Sequence, residues 1–186
     1  VYGLPYLDPD AARRALGTPQ APLPRSHAAV LGAAMDRVRT DIDARTAAAG
    51  AAGRCGPRSV VLAHAFVVGG AASESERDIR VGGVDHAPSS VFDGVDYVAL
   101  GHLHGPQRVG DDGGPTVLRY SGSPLAYSFS EARHTKSTVL VDLGADGPAA
   151  VRLVPAPVPR RLTDLAGPLD DLLGPAPEDP SLLASS

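Results

Sequence analysis

Three histidines come directly after runs of apolar residues, in positions where their rings could bind a metal ion. His64 follows residues 60–63, and both His102 and His104 follow residues 98–100 within the sequence Gly-His-Leu-His-Gly. Continuous apolar runs are typical of strands buried on both faces, and open α/β sheets bind their ligands beyond the carboxyl ends of the strands. Imidazole is the commonest neutral metal ligand, and three converging rings favour a transition metal such as Mn, Fe or Zn. The pattern therefore predicts a metal site at the ends of two strands.

The spacing of these histidines leaves a structural explanation open beside the metal site. A single histidine after a strand is more often held by a hydrogen bond in a purely structural role. His102 and His104 are two residues apart, however, so both rings lean to the same side of an extended backbone. Gly101 and Gly105 flank them and allow the backbone to turn tightly beside a ligand. The other candidates are expected not to bind metal: His86, His134, Cys55 and His27, the last of them solvated in the first turn of a helix.

The histidines bring no negative charge, although a two-metal hydrolytic site needs carboxylates, one of which usually bridges the ions. No Asp or Glu stands at a comparable strand end near them, and Asp96 begins its strand, which places it at the opposite end of the sheet. If the site is dinuclear, we expect half of its ligands to lie outside this chain.

Two helices and five strands are predicted as the framework of the site. Asp8 caps a short helix that ends at Gly17, and Ser26 caps a second helix. The second helix has one buried stripe, formed by Leu31, Met35, Val38 and Ile42. Strands are predicted at residues 59–63, 96–100, 117–120, 138–143 and 150–154, with a hairpin turn at 111–115. The elements predict an α/β fold.

Composition narrows the class of protein. The chain has 186 residues, of which 43% are hydrophobic and 20% charged, enough for one domain with a real core. Its net charge of -4 gives no overall basic footprint for nucleic acid, although a catalytic face can be locally positive. Sixteen of the 17 basic residues are Arg, which we attribute to coding bias. No long apolar stretch predicts a membrane span, and the single Cys55 forbids an internal disulfide, so we expect a cytoplasmic protein.

The motifs resemble a known family. The sequence from Gly101 to His104 resembles the last motif of the calcineurin-like metallophosphoesterases, and His64 resembles the single-histidine motif before it. Longer segments resemble the SbcD family of nuclease subunits: residues 74–79, 82–85, 96–104, 119–125, 128–131 and 154–162. The resemblance runs in order over roughly residues 1 to 173.

The resemblance implies a fold, a domain division and a set of ligands. Residues 1–154 would be the C-terminal half of a metallophosphoesterase α/β sandwich. Residues 155–186, which include seven Pro, would be a linker and the truncated start of a capping domain. His64 and His102 would bind one metal ion and His104 a second. These two divalent ions, usually Mn2+ in the family, would be the cofactors.

Part of the family pattern has no counterpart here. The Asp-x-His, Gly-Asp-x-x-Asp and Gly-Asn-His-Asp/Glu motifs lie N-terminal to this region in the family, and none occurs in this sequence. They supply the bridging Asp and the acid/base His, so no catalytic residue is assigned to this chain. The first residue is Val1, and we expect the true start to lie upstream.

The resemblance also implies a function. The family cleaves double-stranded DNA ends and hairpins by exonuclease and endonuclease action with an SbcC-type ATPase, in DNA recombination, replication and repair. In this chain, Ser121 and Ser123 are candidates for contacts with the DNA backbone, with a tight structural turn as an equal alternative. Two other readings stay open: a metallophosphoesterase acting on small phosphoesters, and an inactive docking fragment. We expect the isolated chain to be inactive.

Overall fold

The computed structural model describes residues 1–18, 20–67, 86–110, 114–164 and 166–174. These residues form a mixed α/β structure, which confirms the predicted fold class. The helices are α1 (Pro9–Leu16), α2 (His27–Ala51) and α3 (Leu169–Leu172). The strands are β1 (Tyr2–Leu4), β2 (Val60–His64), β3 (Tyr97–Gly101), β4 (Gln107–Val109), β5 (Val117–Tyr120), β6 (Ser137–Asp142) and β7 (Ala150–Pro155). Two short 3-10 turns lie at Ser89–Phe92 and Phe129–Glu131.

Local capping residues determine where α1 and α2 begin, as the sequence predicts. The Asp8 carboxylate accepts the backbone N–H of Asp10 at 2.7 Å, and the Ser26 hydroxyl accepts that of Ala29 at 3.2 Å. Each bond satisfies a donor that the first helical turn leaves without an intrahelical partner. Helix α1 ends at Gly17 as predicted, whereas α2 continues through the Ala-rich segment to Ala51.

The strands form one five-stranded sheet and one separate hairpin. The sheet order is β1-β2-β3-β5-β4, in which β1, β2, β3 and β5 are parallel and β4 runs antiparallel to β5. Strands β6 and β7 pair antiparallel with each other. Because the first four strands are parallel, their carboxyl ends all meet at one edge, which is where ligands bind in open α/β sheets.

Each face of the sheet packs against another layer, although Leu62 stays exposed on one face, so the fold has three layers. One face of the sheet belongs to a cluster that also holds Leu31, Met35 and Val38 of α2. The other face packs against the hairpin in a second, smaller cluster, which includes Tyr97 and Val117. This arrangement of helix, sheet and hairpin agrees with the predicted half of an α/β sandwich.

Two expectations about burial are wrong. Strand β2 is not buried on both faces, because the Leu62 side chain is 48% exposed beside an apolar groove between the sheet and the hairpin. His27 is not solvated: it is only 4% exposed, and its ring lies 5.7 Å from that of Tyr6, in the segment after β1. The chain that follows β1 therefore packs against the first turn of α2.

The C-terminal segment carries little regular structure where it is described. After β7, residues 156–164 and 166–168 lie in no helix or strand, and α3 spans only four residues. Leu169 and Leu173 are 67% and 75% exposed. The division at residue 155 stays a prediction. Residues 111–113 of the predicted turn, 175–186 of the tail and the motif segments 74–79 and 82–85 lie outside the described residues.

No helix in the described part of the chain is both long enough and apolar enough to cross a membrane.

Candidate metal centre

The carboxyl edge of the parallel strands collects the predicted site residues. His64 is the last residue of β2 and lies opposite Gly101, the last residue of β3. His102 and His104 follow directly in the next loop, and Ser121 begins the loop after β5. Segments that are distant in sequence order thus meet because parallel pairing aligns their ends.

His64 and His102 form a pair of adjacent rings. Their centroids are 5.5 Å apart and their planes are inclined by 69°. A Cβ atom on Gly101 would lie 3.2 Å from Nδ1 of His64, so a larger residue there would crowd that ring. His64 also lines an open groove of about 490 Å³ with the ends of β1 and β3. The two imidazoles are therefore placed together at a surface that a ligand can reach.

The backbone of His102 is strained. Its φ of 115° makes it the one residue other than glycine with a positive φ in the described part of the chain. Such conformations cost about 1–3 kcal/mol and persist where the surrounding structure enforces them, most often at functional sites. Here the carbonyl of Gly101 accepts the N–H of Ala65 at 3.2 Å. This bond ties the segment after β2 to the start of the loop that carries His102 and His104, called the histidine loop below.

His104 is held by a buried carboxylate. Its Nδ1 lies 3.0 Å from Oε1 of Glu131, whose side chain is completely buried. An ionised carboxylate can only accept, so this contact is a hydrogen bond only when the ring carries a hydrogen on Nδ1. Metal-binding histidines are usually oriented by such a hydrogen bond on the second ring nitrogen.

Aromatic side chains surround the three histidines. The ring of Tyr6 meets that of His64 edge-on at 6.3 Å, and the ring of Tyr127 lies 5.5 Å from that of His104. Neither tyrosine is predicted from the sequence as part of the site, and neither lies in a recognisable motif. The place of Tyr6 follows only from the topology, which brings the segment after β1 beside the end of β2.

A buried tyrosine fixes the segment that follows His64. The hydroxyl of Tyr120 donates to the carbonyl of Ala65 at 2.7 Å and accepts the N–H of Val67 at 3.0 Å. Burial raises the pKa of Tyr120 to about 12, and the hydrogen bond from Val67 acts in the opposite direction. Strand β5 thereby anchors the chain on the carboxyl side of His64.

The loop after β5 packs against the histidine loop. The N–H of Ser123 donates to the carbonyl of His104 at 3.0 Å, and the Ser123 hydroxyl donates to the carbonyl of Leu125 at 2.7 Å. Ser123 is buried, whereas Ser121 is exposed. The contacts of Ser123 are those of a structural turn, and a DNA contact by Ser121 or Ser123 stays a prediction.

The donor set fits a metal site only in part. Within the described ranges, no group of three or more His, Cys, Asp or Glu side chains is arranged to hold a metal ion. His64 and His102 bring two imidazole rings side by side, and His104 brings a third ring, whose Nδ1 faces Glu131. Imidazole nitrogens suit Mn, Fe or Zn, but further ligands are needed to complete a coordination shell. That the three share one metal cluster stays a prediction.

Comparison with known proteins adds an independent finding. No protein-family profile matches the chain. A search of curated proteins finds the SbcD subunit of the nuclease SbcCD of Bacillus subtilis (strain 168), which is 50% identical over 84 residues. The matched segment is 45% of this chain and 21% of the relative, so only about a fifth of the relative is matched. This similarity confirms, over those 84 residues, the resemblance to the SbcD family that the motifs predict.

Proposed function

We propose that the chain supplies the three-histidine part of a two-metal centre in a DNA nuclease of SbcD type. The observation that carries the proposal is the adjacent placement of the His64 and His102 rings at the carboxyl edge of the sheet. The 50% identity to the SbcD subunit of an SbcCD nuclease supports a nuclease in particular.

Each histidine has a defined task in this proposal. His64 and His102 hold one divalent ion and His104 holds the second through Nε2. When bound, such ions supply charge neutralisation at a scissile phosphate and lower the pKa of a bound water. Tyr120 keeps the segment after His64 in place through its two hydrogen bonds. A neutral imidazole ligand brings no negative charge, so carboxylates other than these three side chains would have to balance the charge of the ions.

The substrate class and partner follow from the same family. We propose Mn2+ as the metal and double-stranded DNA ends and hairpins as substrates. The reaction proceeds by exonuclease and endonuclease action with an SbcC-type ATPase, in DNA recombination, replication and repair in the cytoplasm. Because the net charge is -4, contacts with the DNA backbone must be local rather than spread over the surface.

Mn2+-dependent degradation of linear duplex DNA by the full gene product with its ATPase partner tests the proposal. We expect His64→Ala, His102→Ala and His104→Ala each to abolish cleavage, because each removes a ligand. His86→Ala is the matched control and should cleave as the wild type does, since His86 is an exposed histidine outside the proposed ligand set. Circular dichroism checks that every variant is folded.

The choice of substrate separates the proposal from its main alternative. Hydrolysis of p-nitrophenyl phosphate without any cleavage of duplex DNA would indicate a phosphoesterase for small substrates. Full cleavage of duplex DNA by any of the three ligand variants would contradict the assignment of the site.

A further inference from the structure

A buried ion pair lies directly behind His104. Lys136 Nζ is 2.6 Å from Oε2 of Glu131, and the two side chains are 3% and 0% exposed. The other carboxylate oxygen, Oε1, is the atom that faces Nδ1 of His104. The ligand set proposed above does not use either residue of the pair.

Lys136 uses all three of its ammonium hydrogens in this cluster. Besides Glu131, it donates to the carbonyl of His104 at 3.1 Å and to the hydroxyl of Ser123 at 2.8 Å. Three donors pointing in three directions suit a compact ammonium group, whereas the guanidinium of Arg is a planar fork. The chain has sixteen Arg and this one Lys. The bias toward Arg therefore makes the presence of Lys at a buried position informative.

The Glu131 carboxylate is also held by several hydrogen bonds. Its Oε1 faces Nδ1 of His104 at 3.0 Å and the hydroxyl of Ser128 at 3.3 Å, while Oε2 accepts from Lys136. The pair thus contacts His104 twice, at the ring nitrogen through Glu131 and at the backbone carbonyl through Lys136.

Stability alone is a weak explanation for this arrangement. Replacing a buried ion pair by apolar side chains of similar volume is often neutral or even stabilising, because desolvation of the charges offsets their attraction. A hydrogen bond from a carboxylate to the second nitrogen of a ligating histidine, in contrast, fixes the tautomer and the direction of the ring.

We infer that Glu131, held in place by Lys136, is a positioning residue that keeps His104 in the Nδ1–H tautomer, with Nε2 directed to the metal. The inference rests on the proposed function only in taking His104 as a metal ligand. The position of the proton on the ring is a property of the metal-free chain and is tested separately.

The tautomer of His104 is measured directly by 15N NMR of the ring nitrogens, under conditions where their chemical shifts are those of a neutral ring. In the wild-type chain we expect a neutral ring with its hydrogen on Nδ1. A neutral ring with its hydrogen on Nε2 would overturn the inference without any variant.

A double variant, Glu131→Met with Lys136→Met, removes both charges and keeps the side-chain volumes similar, so the fold is expected to persist. We expect the hydrogen of His104 to leave Nδ1, because its acceptor is gone. Paramagnetic broadening of the His104 ring signals by Mn2+ alone should then need about 10 to 100 times more metal than in the wild type.

The control variant is Asp96→Asn, which disrupts the ion pair of Asp96 with Arg58 (3.2 Å) at the opposite end of β3. It should lower stability but leave the tautomer and the broadening of His104 unchanged. A folded double variant with both properties unchanged would overturn the inference. If the wild-type ring is the Nδ1–H form but Mn2+ does not broaden it, the metal assignment fails while the positioning of the ring is upheld.

Discussion

At the scale of single residues, the three histidines could be picked out from sequence, but the side chains that contact His104 could not. His64 and the two loop histidines each follow an apolar run, which is a local signal. Glu131 lies 27 residues from His104 in sequence and Lys136 lies 32 residues away, and nothing in the polar run around them marks their burial. The one local hint is that Lys136 is the single Lys in an Arg-rich chain.

His102 shows a second property that sequence patterns do not reveal. An extended continuation of β3 would place His102 and His104 on one side, as expected from their spacing. The positive φ at His102 departs from the extended backbone that this expectation assumes, and the His102 ring lies beside that of His64. The strain has no signature in the sequence, because a positive φ is uncommon for any residue other than glycine.

Tyr120 predicts a loss of stability at high pH. Its folded-state pKa of about 12 lies above the ordinary value of 10.0. Below about pH 10 the hydroxyl is neutral in both the folded and unfolded chain, so its contribution is fully present. As the pH rises from about 10 to about 12, only the unfolded chain ionises, and the free energy of unfolding should fall by about 2–3 kcal/mol.

Chemical denaturation across this pH range checks the prediction. Tyr120→Phe should be less stable than the wild type at neutral pH, since two hydrogen bonds are lost, but its stability should fall less between about pH 10 and 12. Tyr127→Phe, at a side chain that is 60% exposed, should retain the wild-type pH dependence. Equal losses in the wild type and in Tyr120→Phe would contradict the account.

At the scale of elements, prediction worked where the signal is local. Residues close in sequence form the caps of α1 and α2 and the apolar runs of β3 and β5. These elements lie where the sequence predicts them. Strands β1 and β4 are not predicted, because three residues are too few to show a period. Their pairing with β2 and β5, rather than their own composition, makes them strands.

The loop after β5 packs so closely against the histidine loop that we expect any residue larger than glycine at position 122 to destabilise the fold. The φ of Gly122 is 81°, and a Cβ atom there would lie 2.7 Å from the carbonyl oxygen of His104. Gly147 has a similar φ of 82° but nothing within 4 Å of its Cβ position. Gly147→Ala should therefore cost only the conformational strain, about 1–2 kcal/mol.

Gly122→Ala carries the same strain and a backbone clash in addition, so it should lower the free energy of unfolding further and displace the His104 loop. Urea denaturation of both variants compares the two costs directly. Similar costs would indicate that the two loops are not tightly packed against each other.

At the scale of the whole molecule, the number of ligands predicts the activity of the isolated chain. Within the described residues, no Asp or Glu completes a metal-binding group with these histidines. Three neutral imidazoles alone cannot hold two divalent cations against their mutual repulsion. We therefore expect the 186-residue chain alone to hydrolyse linear duplex DNA negligibly, even in millimolar Mn2+. A gel assay with the full gene product and the proposed ATPase partner as the positive control checks this, and clear cleavage by the chain alone would overturn the ligand count.

The location of bound Mn2+ tests the metal centre most directly. Anomalous diffraction from crystals of the full gene product grown with Mn2+ locates the ions without reference to activity. We predict two neighbouring peaks at the carboxyl edge of the sheet, one within coordination distance of ring nitrogens of His64 and His102 and the other of Nε2 of His104. Peaks elsewhere in the molecule, or ring nitrogens of these three residues that contact no metal, would contradict the account.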